Sequence, residues 1–174
     1  MADIATSTAP QPHGAPDETM AAIADAVELG RQGDRETART RLTGLWRTLG
    51  PSGDPLHRCS LAHYLADLQP DPAQSLAWNI RALDAAEALT DERAAAYHSG
   101  LAVAGFRPSL HLNLADDYRR LGSFDAARRE LDAARAHLGA LGQDAYGALI
   151  RTALHEVAQA VDAGDTAPRP SAPA

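Results

Sequence analysis

The sequence predicts an all-α chain, an antiparallel array of helical hairpins forming one domain. Alanine supplies 38 of the 174 residues while valine and isoleucine supply four each, so helix formers dominate and strand formers are scarce. Apolar residues recur at helical spacing, and clusters of Gly, Pro, Asp and Ser divide them into short segments. Matched residues also return 54 positions apart: Tyr64 with Tyr118, His57 with His111, Asp71 with Asp125 and Ala73 with Ala127. Such spacing marks a repeated unit.

The elements follow from their punctuation. A first helix is expected over 20–32, stopped by Gly33, and Asp34 caps a second that runs to Leu49. After the Pro51–Pro55 break, Asp54 caps a third helix with Pro55 at its first position, where a missing N–H costs nothing. It ends near Leu68. Asp71, Pro72 and Gln74 repeat the device for a fourth helix ending near Ala88. Thr90 with Asp91 and Glu92 opens a fifth, expected over 91–104, with acids at the positive end of its dipole. Pro108 would cost ~3 kcal/mol inside a helix but little in a first turn, so a sixth helix starts there and ends near Leu121. Gly122-Ser123 is a tight turn, and Ser123 is expected to cap a seventh helix that runs to about Leu138. Asp144 caps the last, whose stripe is Ala145, Leu149, Ile150, Ala153, Leu154, Val157, Ala158 and Val161.

Both ends read differently. Residues 1–16 are rich in Ala, Pro, Thr and Gly, without the basic and apolar regions of a secretory signal, and are expected as a flexible leader. Residues 164–174 share that character and are expected as a disordered tail, leaving 17–163 as the folded domain. The 16 basic residues are all arginine, which reads as the codon bias of a GC-rich bacterial genome rather than as chemistry. A net charge of -7 argues against a nucleic-acid binder, and no apolar run is long enough to span a membrane. A single cysteine, Cys59, cannot form an internal disulfide, so the cytoplasm is the expected compartment.

The stretch from Pro108 to Ala134 resembles the tetratricopeptide (TPR) repeat. Leu114, Ala115, Tyr118, Gly122, Phe124, Ala127, Leu131 and Ala134 carry the likeness, with small residues where helices approach and large ones beside them. His111 and Gly139 depart from the pattern. Weaker copies start near Thr19 and Asp54, and the fifth helix reads as an insertion. The resemblance implies a right-handed superhelix closed by the last helix as a solvating cap. It also implies a concave groove lined by the first helix of each pair. Carried over by register, the first pair offers Met20, Ile23, Ala24, Val27 and Arg31, and the second Arg58, Cys59, Ala62, Leu65 and Ala66. The third offers Ser109, Leu112, Asn113, Asp116, Arg119 and Arg120. That groove would be apolar at one end and polar at the other. Of the Lys/Asn/Arg set with which some TPR domains clamp a carboxylate, only Asn113 is matched, and the lysines are absent.

Catalytic signatures are missing. His155-Glu156 continues as Val-Ala-Gln, so there is no H-E-x-x-H, and neither a glycine-rich phosphate loop nor G-x-S-x-G occurs. Cys59 and His63, four apart on one helix, could meet at a metal or pair as thiol and imidazole, with His111 a further candidate ligand. A lone Cys–His pair falls short of a four-ligand site, and the equivalent positions of His57 and His111 favour structural roles. Asp116 and Asp117 diverge by ~100° on a helix and read as solvated or groove-facing. The expected function is therefore a non-catalytic interaction module without cofactor, binding a protein or peptide in the groove. The alternative is a small-molecule or metal-binding protein, with Cys59, His63, His98, His111 and Trp78 around a pocket closed by the inserted helix.

Overall fold

The computed structural model describes residues 17–97 and 102–169. The expected leader, His98 and the last five residues lie outside the described residues. In order come α1 (Glu18–Arg31), α2 (Arg35–Leu49), α3 (Pro55–Asp67), α4 (Pro72–Glu87), α5 (Asp91–Tyr97), α6 (Arg107–Arg120), α7 (Phe124–Ala136) and α8 (Ala145–Asp162). Short 3-10 turns at Val103–Gly105 and Leu138–Ala140 precede α6 and α8, and no strand occurs among the described residues.

Aspartate starts most of these helices. The side chains of Asp17, Asp34, Asp54, Asp71 and Asp144 accept hydrogen bonds from first-turn amides of α1, α2, α3, α4 and α8. Each bond satisfies a donor that the helix cannot, with negative charge at the positive end of the dipole. Capping by Asp17 starts α1 two residues earlier than the expected Met20. Thr90 caps α5 by accepting from the Arg93 amide at 3.2 Å. Ser123 stands at the cap position of α7 without a side-chain bond. Gly122, at φ 74°, closes α6 through the Gly122 amide to the Arg119 carbonyl and the Ser123 amide to the Tyr118 carbonyl. Only glycine adopts that backbone cheaply.

The expected single helix over 91–104 is corrected. Among the described residues α5 covers Asp91–Tyr97, and Ala102 is extended at φ -125° and ψ 143°, so the helix does not run through to residue 104. The Asp91 carboxylate accepts the Val103 amide at 2.9 Å, so the chain folds back on the start of α5 instead of continuing.

Packing proceeds hairpin by hairpin. α1 pairs with α2, α3 with α4 and α6 with α7; α3 also rests on α2, and α6 on α4. α8 lies across α6 and α7, burying Ile150, Ala153, Leu154, Val157 and Val161 against Leu112, Ala127, Leu131 and Ala134. Ala145 and Leu149, expected on its buried stripe, are exposed, because α8 has no neighbour on that flank. Leu131 is 2 % exposed and Tyr118 packs half-buried beside it. Leu131→Ala should therefore cost ~2–5 kcal/mol, read as a lower midpoint in urea unfolding with a two-state slope.

The insertion is pinned by charge as well as by apolar contact. Arg93 Nε donates to Asp54 Oδ2 at 2.6 Å and its Nη2 to Asp17 Oδ2 at 2.9 Å, while His57 Nε2 lies 2.8 Å from Asp17. Beneath them Leu56, Leu89, Ala94 and Val103 form a small core. Burial alone would raise the Asp17 carboxyl, but hydrogen bonds from His57, the Met20 amide and Arg93 outweigh it and hold it near about 2, against an ordinary 3.8. The stability this supplies is complete above the ordinary value and is lost as pH falls through the folded one. Asp17→Asn should lower the melting temperature at neutral pH and shallow the loss of stability between about pH 4 and about pH 2, followed by circular dichroism.

Candidate functional site

α4 packs on both α3 and α6 and holds these two apart, so that α3 and α6 touch only sparsely. The space left between them is the candidate site. Its first half is a cavity of about 660 Å³, walled by α3 (Cys59, Ser60, His63, Tyr64), α6 (Ser109, Leu110) and the Phe106 turn. The connection from α7 to α8 completes it with Leu141 and Tyr146, the latter 47 % exposed at the rim. Pro55 and Pro108 in the first turns of α3 and α6 bring both helices into the groove without loss of hydrogen bonds.

His63 and Asn113 bridge the groove, with Asn113 Nδ2 3.3 Å from His63 Nδ1. The amide can donate only if the imidazole carries its proton on Nε2. Beyond this bridge lies a polar cleft of about 230 Å³, lined by Asp67, Asn79, Asn113, Asp116, Asp117, Arg120 and Arg169. Asn79 Nδ2 donates to Asp117 Oδ2 at 2.7 Å, whereas the buried Asn79 Oδ1 has no hydrogen-bond partner. Burial pushes the Asp117 carboxyl up to about 6 against the hydrogen bonds from Asn79 and Ser75. Burial also raises Asp67, opposed by the charges of His63, Arg169 and Arg35.

Several groove residues expected from register sit elsewhere. Ala62, Leu65, Leu112 and Arg119 are sealed in the interior: Ala62 beneath α4, Leu65 in the α1–α2 core, Leu112 in the α7–α8 core. Arg119 is fully buried but fully paired. Its Nε and Nη2 donate to Asp116 Oδ1 at 3.0 and 2.6 Å, and its Nη1 donates to the carbonyls of Asp165 and Ala167 at 2.7 and 2.8 Å. Residues 165–169 are thereby held against α6, which corrects the expectation of disorder from residue 164 onward. Their composition offers little apolar surface, but their carbonyls satisfy a buried guanidinium. Arg58 turns to the other side of α3, its guanidinium 5.1 Å from the Trp46 ring centre. Cys59, His63 and Ser109 meet in the cavity, while Asn113 and Asp116 face the cleft.

The pocket of the alternative reading forms only in part: Cys59 and His63 line the cavity beside the inserted segment, whereas Trp78 and His111 lie elsewhere. Trp78 packs edge-on to Trp46 at 5.2 Å, and His111 pairs with Glu130 of α7 at 2.8 Å and stacks on His137. His57 meets Asp17 and Arg93 rather than its partner helix. Burial pushes the Cys59 thiol up to about 12, so at neutral pH it is held in its protonated form. Among the described residues no three His, Cys, Asp or Glu side chains converge to hold a metal ion.

Asp117, expected at a solvated or groove-facing position, lines the cleft but is buried at 4 % exposure, and Asp116 turns to Arg119 and Arg169. Leu141, Tyr146, Asn79 and Arg169 carry no signature in the sequence that ties them to this groove. Asn79 alone offers a cue, as an amide set between the bulky apolar Trp78 and Ile80. Comparison with protein-family models, with curated proteins and with solved structures finds no match.

The raised Asp117 carboxyl has a measurable sign. Because its folded value of about 6 exceeds the ordinary 3.8, stability falls as pH rises between the two and stays reduced above them. Asp117→Asn keeps an oxygen for the Asn79 amide and removes the charge. It should stabilise the protein above pH 6 by on the order of 1–3 kcal/mol and flatten its stability between about pH 4 and about 6, as followed in urea titrations.

Proposed function

We propose that the chain is a non-catalytic protein–protein interaction module of the tetratricopeptide-like kind, binding an extended peptide or partner helix between α3 and α6. The observation that carries this reading is the divided groove itself: an apolar cavity of about 660 Å³ adjoining a cleft rich in hydrogen-bonding groups. An apolar side chain fits the first half, and the second supplies the directional contacts that fix a peptide's register. The hairpin order supports the family reading, since the second helix of each pair rests on the first helix of the next. Acidic groups in the cleft and a net charge of -7 favour a protein ligand over nucleic acid. A buried thiol without a second cysteine suits the cytoplasm. Among the described residues no helix is long and apolar enough to cross a membrane. A second reading, a small-molecule carrier, is favoured by the cavity volume, which falls within the ~300–1,000 Å³ of such pockets.

Tyr146 and Ala104 test the site, because both line the cavity and both are exposed. Peptides selected from a displayed library against the full chain should bind Tyr146→Ala and Ala104→Arg at least tenfold more weakly, with unchanged melting temperatures. Ligands that bind all three proteins equally would move the site away from this groove. A small molecule that copurifies with the wild type and is lost from both variants would favour the carrier.

A further inference from the structure

We infer that the polar half of the groove is a guanidinium site, built to take the arginine of an extended, proline-flanked peptide and occupied in the resting chain by Arg169. The inference rests on the peptide-groove reading above and names the ligand chemistry of its polar half.

The path of the chain after α8 points to it. Gly164, at φ 66°, closes the helix: its amide donates to the Val161 carbonyl at 3.2 Å and the Asp165 amide to the Ala160 carbonyl at 2.8 Å. That motif turns the chain away from the α8 axis. Residues 165–169 then run back over α6. They are held first through the main chain, by the two bonds from Arg119 to the Asp165 and Ala167 carbonyls. Asp116 braces Arg119, so the donor pair is fixed before any peptide arrives. Contacts of this kind grip a backbone whatever its side chains, as a peptide groove must.

One side chain is selected. The Arg169 side chain is only 10 % exposed, with Nε 3.4 Å from Asp116 Oδ2 and Nη1 3.9 Å from Glu156 Oε2. The Asp67 carboxyl adds its charge from α3. Asn79 Oδ1, buried in the wall of the same cleft, is an acceptor without a donor. Acceptors spread over four helices suit the five-donor fork of arginine better than the point charge of lysine. In sequence Arg169 stands between Pro168 and Pro170, which bias the unbound segment toward the extended form.

The resident segment is built to be displaced. The ion pairs of Arg169 to Asp116 and Glu156 are long, the segment buries no large apolar side chain, and its main-chain bonds to Arg119 are ones that any extended peptide can replace. A short tether provides an effective concentration of about millimolar, which a free peptide of the same chemistry must exceed. The tail thus acts as a tethered competitor that raises the affinity threshold for partners.

The test uses the full chain and a capped peptide of residues 165–170, Asp-Thr-Ala-Pro-Arg-Pro, followed by calorimetry. Arg169→Ala vacates the site in a segment outside the helices, and circular dichroism checks that the fold is kept. The peptide should bind Arg169→Ala at least tenfold more tightly than the wild type. Replacing its arginine by citrulline, equal in shape but uncharged, should weaken binding at least tenfold, and lysine should fall between. Tyr146→Ala should leave this peptide's affinity unchanged, which separates the cleft from the apolar cavity. Equal binding to wild type and Arg169→Ala, or equal binding of the citrulline peptide, would overturn the inference. If the library ligands ignore Tyr146→Ala while this peptide behaves as described, the cavity reading fails and the guanidinium site stands.

Discussion

The position of α4 between α3 and α6 is the constraint from which the rest follows. Helices approach this closely only where their facing residues are small, and Ala62, Ala82, Ala85 and Ala86 form that seam with Cys59 and Leu110. Bulkier residues there would push α4 outward and let α3 and α6 collapse on each other. With α4 wedged in, the first helices of the second and third hairpins stay apart, and the groove is a consequence of packing. Trp46, Trp78, Leu83 and Phe106 pack around the margins of this seam, and larger aliphatic cores lie on either side of it, around Leu42 and Leu61 and around Leu131 and Val157.

Charge then divides what packing leaves open. A buried ion is tolerated only when paired, because its desolvation outweighs any single contact. At the start of α3, Arg93 meets that condition with Asp17 and Asp54 and ties the inserted segment to the caps of α1 and α3. At the end of α6, Arg119 meets it with Asp116 and the carbonyls of the tail. The first network closes one end of the groove around an apolar cavity. The second orders a segment of otherwise featureless composition and makes the opposite end polar. Asp67 and Asp117 are the less settled members, both raised by burial, at the place where a ligand could relieve them.

Much of the architecture was legible in the sequence because helix termini are local events. Asp34, Asp54, Asp71, Thr90 and Asp144 cap where they were expected to cap, since a side chain reaching an amide two or three residues on needs no tertiary partner. The site was legible only in part. Register placed Cys59, Ser109, Asn113 and Asp116 along the facing sides of α3 and α6, where they line the cavity or the cleft. The same register put Ala62, Leu65, Leu112 and Arg119 in the groove and Arg58 beside them, and these five are elsewhere. A helical wheel resolves direction to about one residue per ~100°, while exposure depends on which neighbour covers that direction.

The sequence by itself determined the helical class, the caps, the glycine turn at Gly122 and the small-and-large pattern of the hairpins, all set by contacts within a few residues. Tertiary structure alone decided that the fifth helix does not run to residue 104 and that Asp117 is buried. It alone turned Arg58 toward Trp46 and brought Tyr146 to a cavity whose other wall lies about 85 residues earlier in the chain. It also decided that residues 165–169 bind rather than trail. A fully buried guanidinium must find acceptors, and only the assembled fold reveals that the nearest ones belong to the tail.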